Sequence, residues 1–233
     1  MTRLIPLATL LAAIAFALSP VLSSGFNGFP PDRFPVPQYD PPIQPAGWAF
    51  SIWLPIYAWL VISATYGLFN RAEDPAWQRV RPPLLVSLIV GTAWIPVANA
   101  SPIWSTVLIW IMWAGAALAL IRSPRADLWW LRAPIGLYAG WLTAASCVAT
   151  AVLITGYGGT PVMPIHAALL LLALVLGVLI LRRIPEPAYA AAVVWALFGI
   201  TIANLDPLRP VMIVLAVIGA ALLIWPLLRR IRR

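Results

Sequence analysis

The chain contains no lysine, one cysteine and one histidine, and only 9% of its 233 residues are charged. Each scarcity excludes a class of protein. A soluble domain carries roughly 25% charged residues, whereas this chain is 62% hydrophobic with a mean hydropathy of +0.92. No soluble fold of this size hides so much apolar surface in one core, so lipid must cover it. Cys147, alone in an apolar segment, allows neither an intrachain disulfide nor a Cys-based metal cluster, and His166 has no second histidine for a zinc site.

Charge at membrane depth is also missing. All seven acidic residues (Asp32, Asp40, Glu73, Asp74, Asp127, Glu186, Asp206) fall in loops or at helix ends, and no arginine lies mid-span. Ion-coupled transporters and proton pumps keep ionisable groups at depth to bind the coupling ion. His166, five residues past Pro161 and near the outer interface, reads as a satisfied interfacial residue rather than a relay. General acid–base catalysis needs two titratable groups within reach of one substrate, and Cys147 has no activating base. The chain is therefore expected not to be an enzyme.

What is present is apolar length. Residues 4–22 form a first stretch long enough to span, and seven more follow at 47–69, 83–99, 102–121, 133–156, 161–181, 188–204 and 208–228. A retained first helix is favoured over a signal peptide, although Ser23, Ser24 and Gly25 resemble a cleavage site; cleavage would leave seven spans. Between the first two stretches, Gly25–Pro45 holds seven prolines. It cannot be helical and is expected along the outer membrane surface. Pro102, Pro161 and Pro210 sit where a first helical turn tolerates a missing N–H, while Pro55 and Pro96 are expected inside helices as kinks.

All fifteen basic residues are arginines, and they set the orientation. With the N-terminus inside, Arg3, Arg71, Arg79, Arg81, Arg122, Arg125, Arg132, Arg182, Arg183, Arg229, Arg230, Arg232 and Arg233 lie on the inner side. Only Arg33 and Arg209 lie outside. The positive-inside rule then predicts an all-α, polytopic transmembrane helical bundle of about eight helices with both termini cytoplasmic, placed in the plasma (inner) membrane. Its arginines should stay in water on a single face. The net charge of +8 is thus explained by topology, and no basic–aromatic alternation suggests nucleic acid.

A weak internal repeat pairs Asn99-Ala100-Ser101-Pro102 with Asn204-Leu205-Asp206-Pro207, although short turns favour Asn and Pro anyway. Gly136 and Gly140, four apart, suit close approach of another helix. Of the thirteen tryptophans, an interfacial aromatic belt accounts for Trp48, Trp77, Trp94, Trp104, Trp129, Trp130 and Trp225. It does not account for Trp59, Trp110, Trp113, Trp141 and Trp195 near mid-span, nor readily for Trp53. Trp53 with Tyr57, and Trp110 with Trp113, share helix faces; these rings either fill lipid-facing surface or line a pocket for a flat apolar ligand.

The stretch Pro45-Ala46-Gly47-Trp48-Ala49-Phe50-Ser51-Ile52-Trp53-Leu54-Pro55-Ile56-Tyr57 resembles a helix signature of the tryptophan-rich sensory protein family (TspO/MBR, the bacterial relatives of the translocator protein). Asn99, Trp104, Trp110 and Trp113 resemble that family's Asn/Trp-rich middle helix. Pro134, Tyr138, Trp141 and Ala145 resemble its last-helix pattern. The matches cover roughly residues 45–155. The Phe50–Trp53 gap is one residue short of the signature, and Ala149 stands where the family has Asn.

The resemblance implies a helical-bundle pocket for a tetrapyrrole or sterol-like lipid, lined by Trp53, Tyr57, Trp110, Trp113, Tyr138, Trp141 and Ala145, with Asn99 hydrogen-bonding or packing. It also implies a division into a first helix (1–24), an outer linker (25–46), a TspO-like core (47–157) and three additional helices (158–233). No cofactor is required, though a porphyrin or lipid could occupy the pocket. The expected partners are the lipid bilayer, a hydrophobic small molecule, and a second copy or a membrane-complex subunit. An uncoupled permease for an apolar solute, or an assembly subunit, are the alternatives.

Overall fold

The computed structural model describes residues 3–23 and 28–231, with backbone alone for 226–231. Ser24 and Gly25 of the cleavage-site reading, Arg232 and Arg233, and the side chains of Arg229 and Arg230 lie outside it. Among the described residues there are eight α-helices: α1 (Leu4–Leu22), α2 (Trp53–Asn70), α3 (Pro75–Ala100), α4 (Pro102–Arg122), α5 (Ala133–Gly156), α6 (Val162–Arg183), α7 (Pro187–Ala203) and α8 (Pro210–Ile231). A 3-10 stretch, Gly47–Ile52, leads into α2, and a π-helical turn, Leu128–Arg132, leads into α5; no strand forms among the described residues.

Each apolar segment is a helix, and the first six, counted with their lead-ins, are long and apolar enough to cross a membrane. Helix α7 and the stretch Pro210–Trp225 of α8 are shorter apolar helices. The protein is an integral, multi-pass membrane bundle.

Local chemistry sets the helix starts. Asp74 accepts from the backbone N–H groups of Ala76 and Trp77, Ser101 from that of Trp104, and Glu186 from that of Ala188. These caps satisfy N–H groups that a helix leaves unpaired. With Asp74 as cap, α3 begins at Pro75, eight residues ahead of the apolar run at 83, and carries Pro82 and Pro83 inside it. Pro96 is internal, as expected. Pro55 is not: it is the third residue of α2, where its missing N–H breaks no intrahelical bond. Pro161 is the N-cap of α6 rather than its first residue.

The connections sort to two ends. At one, Arg71 Nε donates to Asp127 Oδ2 at 3.0 Å and Arg132 lies 3.9 Å from Glu186, which brings the α2–α3, α4–α5 and α6–α7 connections together. The arginines crowd this end, the one that the positive-inside rule expects to be cytoplasmic. Burial pushes the Asp127 carboxyl up, but hydrogen bonds from Arg71 and Trp77 with the Arg71 charge outweigh that and hold it below the usual range.

Two arginines depart from the expectation that all stay in water. Arg81 is 3% exposed and Arg132 5%. Arg81 donates to the carbonyls of Gly67, Arg71 and Ala72 around the C-terminus of α2, at 2.8, 2.9 and 3.1 Å. Carbonyls at this end carry the negative end of the helix dipole, which compensates the buried charge; Gly67 O accepts from the N–H of Arg71 as well.

Helix α5 is the axis of the bundle. In its membrane-length stretch 67% is buried inside the protein, against 28% for α1. It packs on α4, α6 and α7, while α1 lies against α2 and α3, and α8 against α6 and α7. The Gly136/Gly140 pair is the α5–α7 contact: a Cβ at Gly140 would overlap the carbonyl oxygen of Tyr189, and one at Gly136 would lie 2.7 Å from Glu186 Cγ.

The Pro-rich segment packs on the protein. Residues 28–46 form a strap across the outer ends of α5, α6 and α7, with Phe34 and Ile43 buried. The N–H of Val36 donates to Gly156 O (2.9 Å) and that of Ala46 to Gly199 O (3.1 Å). The N–H of Ile43 donates to His166 Nδ1 (3.2 Å), Asn204 Nδ2 donates to Pro42 O (2.8 Å), and Arg209 pairs with Asp40. Prolines leave few N–H groups to satisfy; the bundle accepts those of Val36, Ile43 and Ala46, and the strap's own carbonyls accept those of Arg33, Gln38 and Gln44.

Candidate functional site

Beneath the strap lies a cavity of about 50 Å³. Its walls come from five helices. Trp53 and the preceding Phe50 belong to the α2 region, Trp94 to α3, Ile109 to α4 and Ala196 to α7; Trp141, Ala144, Ala145, Val148, Ala149 and Val152 run down one face of α5. Gly28, Phe29, Gln44 and Pro45 of the strap close it. The small residues on α5 make the space, and the aromatic rings give it flat apolar walls.

The rings form a connected cluster. Trp53 meets Trp141 edge-on at 6.1 Å between centroids, and Phe50 meets Trp141 at 5.8 Å. Tyr57 stacks on Trp53 at 5.3 Å, while Phe16 of α1 lies 4.9 Å from Tyr57 and 5.9 Å from Trp53. Such offset and edge-to-face pairs hold the rings in set orientations. Phe16 carries no sequence signal beyond being the one aromatic residue of the first apolar stretch.

One residue of this wall carries an unmatched polar atom. Trp141 is 2% exposed, and among the described residues its indole Nε1 has no hydrogen-bond partner. Other indoles near the core are satisfied. Trp94 Nε1 donates to Ser105 O, Trp77 Nε1 to Asp127 Oδ2, and Trp195 Nε1 to Ala49 O. Trp77 and Trp94 are thus core residues, 2% and 7% exposed, and not part of an interfacial belt. Their positions near helix ends suggest the belt, but their rings turn inward to these acceptors.

The structure divides the residues singled out from sequence. Trp53, Trp141 and Ala145 line the cavity. Tyr57 and Tyr138 form a second layer behind it, with the Tyr138 hydroxyl 2.9 Å from Ser87 Oγ. Trp110 and Trp113 lie elsewhere on the α4–α5 contact, where their indoles donate to Thr150 and Thr143, each at 2.9 Å. Asn99, on the last turn of α3, is half-buried and does not line the cavity. Sequence reasoning missed Phe50 and the strap residues as walls. His166 is fully buried and paired on both ring nitrogens, Nδ1 with Ile43 and Nε2 with Thr155 Oγ1 at 3.2 Å. No cluster of metal-ligating side chains occurs among the described residues.

A family model described as TSPO-like protein matches residues 7–228. The chain belongs to the TSPO-like protein family. The match runs from α1 into α8, so it takes in the helices on both sides of the 45–155 motifs. No curated protein and no solved structure matches this TSPO-like chain.

Proposed function

We propose that this TSPO-like protein is a non-catalytic binding protein of the inner membrane, a sensor or carrier for a flat apolar ligand such as a tetrapyrrole or a sterol-like lipid. The observation that carries this reading is the aromatic cavity under the strap, walled by Trp53, Trp94 and Trp141, the last of which has its indole N–H unpaired. An apolar wall supplies affinity, and a single placed donor supplies orientation. The ligand that fits this wall carries one hydrogen-bond acceptor, a carbonyl or ether oxygen or a ring nitrogen, at its buried edge.

Size adds a condition. Drug-sized ligands occupy roughly 300–1,000 Å³, and the cavity holds about 50 Å³. Occupancy by a tetrapyrrole therefore requires Phe29, Gln44 and Pro45 to move off the cavity, so the ligand takes the place of the strap. Titration of the purified protein with a porphyrin, followed by tryptophan quenching and the porphyrin absorption band, tests the reading. Saturable binding that weakens in Trp53→Ala and Trp141→Ala is expected. Absence of saturable binding by any tetrapyrrole or sterol overturns it.

An uncoupled permease is the second reading, favoured by the lack of any titratable side chain among the residues lining the cavity. It predicts saturable solute flux into liposomes that is indifferent to proton and sodium gradients.

A further inference from the structure

The strap is tied to the bundle on both sides of the residues that close the cavity. Asn204 Nδ2 donates to Pro42 O, the Ile43 N–H to His166 Nδ1, and the Ala46 N–H to Gly199 O. Gln44 and Pro45, between the last two ties, line the cavity. A side-chain amide and a backbone carbonyl do not titrate near neutral pH. An imidazole does.

The hydrogen-bond network fixes which form of His166 makes its tie. Thr155 Oγ1 has one hydrogen, and its acceptors are Gln38 Oε1 at 2.8 Å and Ala151 O at 3.0 Å. Toward His166 Nε2, 3.2 Å away, it therefore accepts, so Nε2 carries the ring's proton. Nδ1 is left as the lone-pair atom that the Ile43 N–H requires. A second proton can go only to Nδ1, where it would meet that N–H donor to donor.

The ring is fully buried and bonded to no acidic group among the described residues. Helix α5 faces it with Thr155 and the strap with the Ile43 N–H, both uncharged. Helices α4, α7 and α8 also pack on α6, and their outer halves carry no Asp, Glu, Arg or His. The α7–α8 connection carries Asp206 and Arg209; the Arg209 charge acts on the ring and is itself paired with Asp40 of the strap.

We propose that His166 is a proton-controlled latch on the strap: acid on the outer side protonates Nδ1, breaks the tie to Ile43 and lets Gln44 and Pro45 leave the cavity. This rests on the binding reading only in taking the space under the strap as a ligand site; release itself needs no ligand. An imidazole freed into water takes up its proton near the ordinary histidine value of about 6.5. Opening is then linked to proton uptake, and its equilibrium constant should rise roughly tenfold between about pH 7.5 and about pH 5.5.

The test is amide hydrogen exchange on the full chain in detergent micelles without ligand, expressed as protection factors so that the intrinsic pH dependence of exchange cancels. Protection of Ile43 and Ala46 should fall roughly tenfold over that pH range, while α3 and α4 keep theirs. His166→Asn, which offers an acceptor oxygen that does not titrate, should remove the pH step. Unchanged protection in the wild-type protein overturns the latch. So does a step that survives in His166→Asn, which would assign it to another group such as Asp40. Porphyrin association, followed by tryptophan quenching at both pH values, tests the gate. Faster association in acid supports it, and equal rates despite an opened strap overturn it. A strap that opens in acid while no porphyrin binds at either pH sinks the binding reading and supports the latch.

Discussion

The unpaired indole N–H of Trp141 gives the binding reading its sharpest test. Trp141→Phe keeps an aromatic face opposite Trp53 and Phe50 and removes only the donor and part of the ring. A hydrogen bond made to a ligand at this site is worth about 0.5–1.5 kcal/mol net, or roughly a 2- to 12-fold change in Kd. The comparison that isolates it uses two ligands, a steroid ketone and its parent hydrocarbon, each titrated against both proteins by tryptophan quenching. The ketone should lose that factor in Trp141→Phe, and the hydrocarbon should not. Ligand-free stability is an internal control. Deleting a buried, unpaired donor relieves a penalty of about 1–3 kcal/mol, which offsets the poorer packing of the smaller ring, so the unfolding temperature should move little. If both ligands weaken equally, or neither does, the indole N–H is not part of a binding site.

Other parts of the structure make separate predictions. Gly140→Ala drives a methyl into the backbone carbonyl of Tyr189 and should destabilise the α5–α7 contact by about 1–3 kcal/mol, read as a lower unfolding temperature in detergent. His166→Phe removes the acceptor of the Ile43 N–H; leaving that group unpaired costs about 1–3 kcal/mol, and amide exchange at 36–46 should accelerate while that of α3 and α4 does not. Asp127, whose carboxyl is held below its usual range, contributes stability that is present above the ordinary carboxylate pKa and is lost as pH falls through its folded value. Asp127→Asn should therefore flatten the acid limb of a stability-against-pH curve, and an unchanged limb would exclude the Arg71–Asp127 pair as its source. Cysteines placed beside Arg125 and Arg183 should react from the same side of sealed vesicles, and one at Gly158 from the opposite side.

The helices were legible because a membrane demands length and apolarity, and both are visible one residue at a time. Faces were not. In a soluble helix the polar side marks solvent, but lipid and protein interior are equally apolar here, so periodicity could not separate buried Trp94 from lipid-exposed Trp104. Trp53, Trp141 and Ala145 of the motif line one cavity, the first from α2 and the other two one turn apart on α5. The same reasoning drew Trp110 and Trp113 toward the pocket, when hydroxyls of Thr143 and Thr150, one helix away and unmarked in sequence, hold them elsewhere. Arg81 failed for a related reason. Its partners are backbone carbonyls at the end of α2, and no side-chain pattern announces those.

The strap was the least legible element, and it determines what the cavity can hold. Composition showed that residues 25–45 could not be a helix; it could not show where their few N–H groups would go. Those of Arg33, Gln38 and Gln44 turn back on the strap, and that of Val36 goes to α5; His166 on α6 and Gly199 on α7 receive Ile43 and Ala46, while Asn204 and Arg209, between α7 and α8, reach back to Pro42 and Asp40. Helix α7 also supplies Ala196 to the cavity wall. The helices beyond residue 158 thus wall the cavity and tether the segment that closes it. The strap can leave the cavity only by breaking bonds to those helices, and each buried N–H freed without a new partner adds to the cost of opening. A ligand for this site must recover that cost from the aromatic surface it covers, which favours a broad, flat molecule over a small one.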